Sequence, residues 1–227
     1  MKTALLFDLD GTLVDSDAEH LAAFQRIFAP HGIELDRSEY AANIMGASNA
    51  IIAGRYLSHL PPHEQAATLD AKEAAYRDGL GELEPILGAL ALLDFADRRG
   101  LKRAVVTNAP RANAEMVLAA LGIESRLPIL VIGGELARSK PDPLPYLTAL
   151  ERTGALASRS IAFEDSLSGV RAAVAAGLAV VGMTTTLDSR ALIEAGAIFA
   201  VEDFTDPRVF ELIEARGGIG EGQGANG

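Results

Sequence analysis

Cysteine is absent from the 227-residue chain. That excludes a disulfide framework and a thiolate zinc site, and it gives no reason to place the protein outside the cell. A long apolar run is missing at the amino terminus, where MKTALLFDLDG carries one lysine and an apolar stretch broken by Asp8. The segment is too short for a signal peptide or a membrane span, so a cytoplasmic protein with no membrane partner is expected. Basic residues are in the minority, 20 against 31 acidic ones, for a formal net charge of −11. This balance disfavours a general affinity for nucleic acid or anionic membrane and says little about small anionic substrates. No internal repeat is visible. The chain is expected as a monomer or a small homo-oligomer. What is present, 49% hydrophobic residues over this length, suits one large domain, or a domain with an insert, around a core of ordinary size.

The stretch from about Ser16 to Gly81 has almost no β-branched clusters and reads as helices over Glu19 to Phe28, from DRSE at Asp36 to Glu39, over Ser48 to Leu57 and over Pro61 to Leu80. Asp36 with Glu39 resembles a capping pair, and Pro61 and Pro62 suit a helix start. From Glu82 onward helices alternate with short apolar runs: RAVVTN at Arg103 to Asn108, ILVIG at Ile129 to Gly133, SIAFED at Ser160 to Asp165, LAVVGM at Leu178 to Met183 and AIFAVED at Ala197 to Asp203. Runs that are apolar throughout are expected of parallel strands covered on both faces. The fold expected is therefore α/β: an open, Rossmann-like parallel sheet from residues 1–15 and 82–217 with helices on both faces. A helical insert at 16–81 follows the first strand. Asp206 and Pro207 open a last helix ending near Gly217, and the glycine-rich tail at 218–227 is expected to be disordered.

Ligands of open α/β sheets bind outside the carboxyl ends of the strands. LLFDLDGTLVDSD places Asp8 and Asp10 at the end of the first strand; Thr107 and Asn108 end the second, Glu164 and Asp165 end a later one, and Lys140 in RSKPDP lies in the loop after ILVIG. If the strands are parallel, all converge on one crevice. Four carboxylates there repel one another unless water or a divalent cation screens them. Hard oxygen ligands without His or Cys point to Mg²⁺. A lysine and a threonine hydroxyl beside it suit a bound phosphate, because phosphoryl transfer needs mainly positioning and charge neutralisation.

FDLDGTLVDS, VVTNAP, SKPDP and FEDSLSGV, in that order over nearly the whole chain before the tail, resemble the four motifs of the haloacid dehalogenase superfamily. More narrowly, the chain is similar to its small phosphatases and phosphomutases with a helical cap after the first strand, the phosphoglycolate phosphatase and β-phosphoglucomutase group. The resemblance implies that residues 16–81 form the cap. It implies that Asp8 is a nucleophile that becomes an aspartyl phosphate and that Asp10 is the general acid and then the base that activates water. Asp8, the backbone carbonyl of Asp10 and Asp165 would bind Mg²⁺, with Glu164 as a direct ligand or a partner behind the ligands. Thr107 and Asn108 would hydrogen-bond the transferring phosphoryl group, Lys140 would pair with it and with Asp8, and Gly11 and Thr12 would shape the turn that gates the site.

An aspartate at position 10 favours phosphate esters, since the resemblance implies no acid/base aspartate there in the dehalogenases and a small residue in phosphonate-cleaving members. His20 stands where the mutases carry a histidine, and Asn49 stands where they carry an arginine for a second phosphate. An amide supplies neither the charge nor the fork of a guanidinium. Hydrolysis of a small phosphorylated metabolite, a sugar phosphate or phosphoglycolate, is therefore favoured over a phosphomutase. A non-catalytic binding protein on the same fold is the weakest reading. Lys72, Arg55 and His63 read as solvated charges on the helices of the insert, and Phe24, Ile27 and Phe28 as its core.

Overall fold

Leu5 and Phe7 of the first strand, β1 (Ala4–Phe7), enter one hydrophobic cluster, whereas Ala4 and Leu6 enter another. Successive side chains of a strand point to opposite faces, so an apolar run with no polar alternation needs cover on both sides. The same division holds in β4 (Ile161–Glu164), where Ile161 and Phe163 join the first cluster and Ala162 the second. In β5 (Ala179–Met183), Val181 and Val180 separate likewise.

In a computed structural model, residues 2–217 are described; the tail expected to be disordered lies outside the described residues. With β2 (Lys102–Thr107), β3 (Leu130–Ile132) and β6 (Phe199–Val201), these strands form a six-stranded sheet of order β3-β2-β1-β4-β5-β6, every pair parallel. Each apolar run noted in the sequence holds one of them, with β2 starting one residue earlier, at Lys102. Between the strands run α5 (Ala89–Arg98), α6 (Arg111–Ala120), α7 (Leu144–Thr153), α8 (Leu167–Ala175) and α9 (Ser189–Ala195), and α10 (Pro207–Gly217) closes the described chain. Because β1 lies between β2 and β4, strand order reverses at β1, the place where a doubly wound sheet leaves a crevice at its carboxyl edge.

Four helices follow β1 before the sheet resumes: α1 (Asp17–Phe28), α2 (Arg37–Asn43), α3 (Asn49–Tyr56) and α4 (Pro62–Gly79). Asp36 caps α2 by accepting from the Glu39 N–H at 2.7 Å, the capping contact read from DRSE. These helices carry their own hydrophobic cluster, built on Phe24, Phe28, Tyr40, Ile52 and Leu57. Each fully buried large apolar side chain there contributes roughly 1.5–3 kcal/mol. Ile27 is only half-buried, whereas Phe24 and Phe28 are in the core as expected.

The helical block touches the sheet through polar contacts. The Gly46 carbonyl, in the turn between α2 and α3, accepts from Asn108 Nδ2 at 2.8 Å and Ser168 Oγ at 2.9 Å. Asn113, on the first turn of α6 and 1% exposed, donates to Glu73 Oε2 at 2.6 Å and accepts from Arg77 at 2.7 Å, both on α4. Among the described residues no helix is long and apolar enough to cross a membrane.

Candidate active site

The turn after β1 places two carboxylates in one cavity. Leu9 is fully buried in the sheet's hydrophobic cluster, so its neighbours Asp8 and Asp10 face away from that cluster, and both line the cavity. The Asp8 N–H donates to the Phe163 carbonyl at 3.0 Å, extending the β1–β4 ladder by one residue and setting the Asp8 side chain. Gly11 then turns the chain at φ +70°. A Cβ there would lie 2.2 Å from Asp165 Oδ2, so the turn and the approach of Asp165 both require glycine. Thr12 donates to Asp165 Oδ1 at 3.3 Å.

Asp8, Glu164 and Asp165 are all buried, with one oxygen of each within 4.8 Å of the others. The buried cation beside them is Lys140, whose Nζ lies 3.0 Å from Asp8 and 2.6 Å from Glu164. Three ionised carboxylates against one ammonium leave two negative charges uncompensated, and isolated buried charge is costly. The pKa values carry that stress. Burial, then repulsion from Glu164, pushes Asp8 up to about 7 against the pull of Lys140. Burial with the Asp8 and Glu164 charges raises Asp165 well above the usual carboxylate range. Although burial opposes its charge, Lys140 is held above its ordinary value by Asp8 and Glu164. A divalent cation is the charge that this oxygen set lacks, so the residues fit one.

Glu164 has a different setting from the other two. It accepts from Lys140 at 2.6 Å, from the Tyr146 hydroxyl at 2.5 Å and from Ser166 at 3.3 Å. A Cβ on Gly169 of α8 would come within 1.9 Å of it. Its acceptor positions are largely used by Lys140, Tyr146 and Ser166.

Asp10 turns toward the helical block. Ser16 donates to its Oδ1 at 2.6 Å, and His20 Nε2 lies 3.4 Å from the same oxygen. Burial alone would raise Asp10, yet the His20 and Ser16 hydrogen bonds hold it below the usual carboxylate range. The side chain stays outside the carboxylate triplet. Thr107, 2% exposed at the end of β2, accepts from the Ala109 N–H at 3.0 Å and so braces the turn before α6, while α6 itself starts behind Pro110 without a side-chain cap. The Asn108 side chain bridges Gly46 and the Lys140 backbone. All the core residues singled out in the sequence except Glu164, that is Asp8, Asp10, Thr107, Asn108, Lys140 and Asp165, line one cavity with His20 and Asn49.

Lys72 departs from the sequence reading. It is 3% exposed rather than solvated. Its ammonium lies 2.9 Å from His20 Nδ1, 3.2 Å from Glu73 Oε2 and 4.2 Å from the centre of the Phe24 ring. Burial lowers its pKa, with Glu73 and Asp10 pulling the other way. An ammonium can only donate, so His20 Nδ1 accepts from Lys72 and the ring proton sits on Nε2, aimed at Asp10. Tyr76 stacks on the His20 ring at 3.8 Å and fixes its plane. Glu73, Tyr76, Asn113 and Tyr146 gave no signal in the sequence. An α4 that is polar on most of its surface has no stripe to mark which charges turn inward.

The family described as haloacid dehalogenase-like hydrolase matches residues 5–183. The chain is 35% identical over 216 residues to validoxylamine A 7′-phosphate phosphatase of Streptomyces hygroscopicus subsp. limoneus, across 92% of this chain and 97% of that protein. It is 32% identical over 184 residues to a phosphoglycolate phosphatase of Xanthomonas campestris pv. campestris, across 77% and 80% of the two chains. A solved structure of CbbY from Rhodobacter sphaeroides, in complex with xylulose-(1,5)bisphosphate, superimposes with a TM-score of 0.78 at 30% identity, covering 91% of this chain and 96% of that one.

Proposed function

The chain belongs to the haloacid dehalogenase-like hydrolase family as a phosphoric monoester hydrolase, and from that premise we propose a Mg²⁺-dependent phosphatase for a small phosphorylated metabolite of the sugar-phosphate or phosphoglycolate type, working through an aspartyl phosphate. The observation that carries this reading is the convergence of Asp8, Asp165, Lys140 and Thr107 with Asp10 in one cavity at the sheet's switch point.

An Asp8 oxygen attacks phosphorus, and the bond to the leaving oxygen breaks as Asp10 gives that oxygen a proton. A water then attacks the phosphoryl group on Asp8, Asp10 takes the water's proton, and phosphate leaves with the Asp8 carboxylate restored. In the free site Asp10 is set as a carboxylate; a phosphate dianion beside it raises its proton affinity, which suits the acid role in the first step. Lys140 and the Thr107 hydroxyl neutralise and orient the phosphoryl oxygens, and His20, held by Lys72 and Tyr76, orients Asp10. Mg²⁺, held by Asp8, Asp165 and the Asp10 carbonyl, would neutralise charge on the transferring group. Glu164 acts through Lys140 rather than as a direct ligand.

The helices at 17–79 serve as the cap of this reading. The cavity beneath them is about 70 Å³, below the roughly 300–1,000 Å³ of ligand pockets. It suits a closed state from which the cap must move to admit a metabolite. A larger cleft, of about 1110 Å³, adjoins it and shares Asn49, Asn108, Ala109 and Pro110, which offers the route in.

The assay is phosphate release from a panel of sugar and organic phosphates, with Mg²⁺ and with chelator. Metal-dependent release supports the reading. Conversion of β-glucose 1-phosphate to the 6-phosphate with little release would replace it by a mutase, and silence across the panel by a binding protein. Metal binding also has a signature in stability. Asp8, raised to about 7, holds its proton more tightly folded than unfolded. Its contribution is therefore fully present below about pH 4 and is lost as pH rises through 7. Mg²⁺ relieves the ionised form, so its stabilising effect on Tm should exceed that at pH 5 by several degrees at pH 8. Equal shifts at the two pH values would contradict a metal at Asp8.

A further inference from the structure

Among the described residues, the cap-side wall of the cavity has no free lysine or arginine. Lys72 is the ammonium there, and it is committed to Glu73 at 3.2 Å and His20 at 2.9 Å. Lys140, the other lysine lining the cavity, is bound to Asp8 and Glu164 at the phosphoryl end. Facing the cavity from the cap are instead the carboxylates of Glu73 and Asp17. Glu73 is 4% exposed and fixed from three sides. Its Oε1 accepts from Asn49 Nδ2 at 3.0 Å, and its Oε2 accepts from Asn113 Nδ2 at 2.6 Å and from Lys72. A carboxylate offers about four acceptor directions, so roughly one is left for a donor from the ligand. Because Asn113 belongs to the sheet domain and Asn49 and Lys72 to the helical block, the carboxylate is clamped in place when the two parts meet.

An anionic group on the leaving side of the substrate would find the Lys72 ammonium already shared between Glu73 and His20, with no further cation on that wall to receive it, in a water-poor space where an unpaired charge is costly. A hydroxyl would donate to Glu73. We propose that Glu73, clamped by Asn49, Lys72 and Asn113, determines specificity: the site takes phosphomonoesters whose leaving group is an uncharged polyol and rejects those bearing a second phosphate or a carboxylate. The inference rests on the phosphatase reading and narrows it, away from phosphoglycolate and bisphosphates and toward neutral sugar or polyol phosphates.

Matched pairs test it: glycerol 3-phosphate against 3-phosphoglycerate, and fructose 6-phosphate against fructose 1,6-bisphosphate. Each pair changes the charge of the leaving group with little change in the ester. In Mg²⁺ the wild type should favour the neutral member of each pair by about 100-fold or more in kcat/KM. Glu73→Gln, which keeps an acceptor for Asn113, should reduce that preference at least about tenfold. Should Glu73→Gln fail to fold, Asn49→Arg at the start of α3 serves the same purpose. A guanidinium beside Glu73 should raise kcat/KM for the bisphosphate relative to its neutral partner by a similar factor. Release from neutral and anionic members alike, or a preference untouched in a folded, active variant, overturns the assignment of Glu73 and leaves the phosphatase reading standing. No release from any member, nor from p-nitrophenyl phosphate, overturns the phosphatase reading and this inference with it.

Discussion

Asp8→Asn should reduce turnover by at least about 10⁴-fold while leaving the protein folded, as expected when a covalent nucleophile is removed from a hydrolase. The side chains have nearly the same shape, and the amide still presents an oxygen to Lys140, which keeps Glu164 at 2.6 Å. What changes is charge: one of three buried carboxylates disappears, and with it the repulsion that Asp8 adds to burial in raising Asp165. The variant should therefore be at least as stable as the wild type in chelator at pH 8, so lost activity cannot be ascribed to unfolding. Thermal melts and phosphate release on the same preparation check both halves. A folded variant retaining more than a tenth of wild-type activity would remove Asp8 from the role of nucleophile.

Asp10→Asn is expected to separate the two steps. With a sugar phosphate the leaving alkoxide needs a proton, and losing the general acid should cost about 10²–10⁴-fold in kcat. p-Nitrophenolate leaves unaided, so the same variant should release about one equivalent of it per site in a rapid burst. It should then turn over slowly, because the base that activates water is also gone. The asparagine amide retains an oxygen for Ser16 and His20, whose contacts at 2.6 and 3.4 Å hold the position. The measurement is stopped-flow absorbance of p-nitrophenol, with acid-quenched protein analysed for the phosphoryl adduct on Asp8. Equal losses for the two substrates, without burst or adduct, would show that Asp10 does not transfer the proton.

The parallel sheet was legible because each strand carries an apolar run without polar alternation, polar only at its ends as at Lys102 and Arg103 of β2, a pattern that fits a strand covered on both faces. The division of β1 between two clusters realises it. The polar residues at the strand ends were legible for a related reason: parallel strands deliver their carboxyl ends to one edge, so Asp8, Thr107 and Asp165 meet whatever the details of packing. Capping was readable at Asp36, where donor and acceptor are three residues apart. The cap side was not readable. Lys72 reads as a solvated charge because nothing in its own helix says otherwise. Its partner His20 is 52 residues away, and Glu73 meets Asn113 across 40.

Local physics thus determined, from the sequence alone, the class of fold and the edge of the sheet where the carboxylates of the candidate site crowd, because strand period and strand direction are short-range properties. Only the tertiary structure decided that Lys72 is spent on Glu73 and His20, that Glu164 holds Lys140, and that Glu73 is clamped between cap and sheet. A buried charge is tolerated only where partners from distant segments arrive together, and which segments arrive is settled by packing rather than by any one stretch of chain.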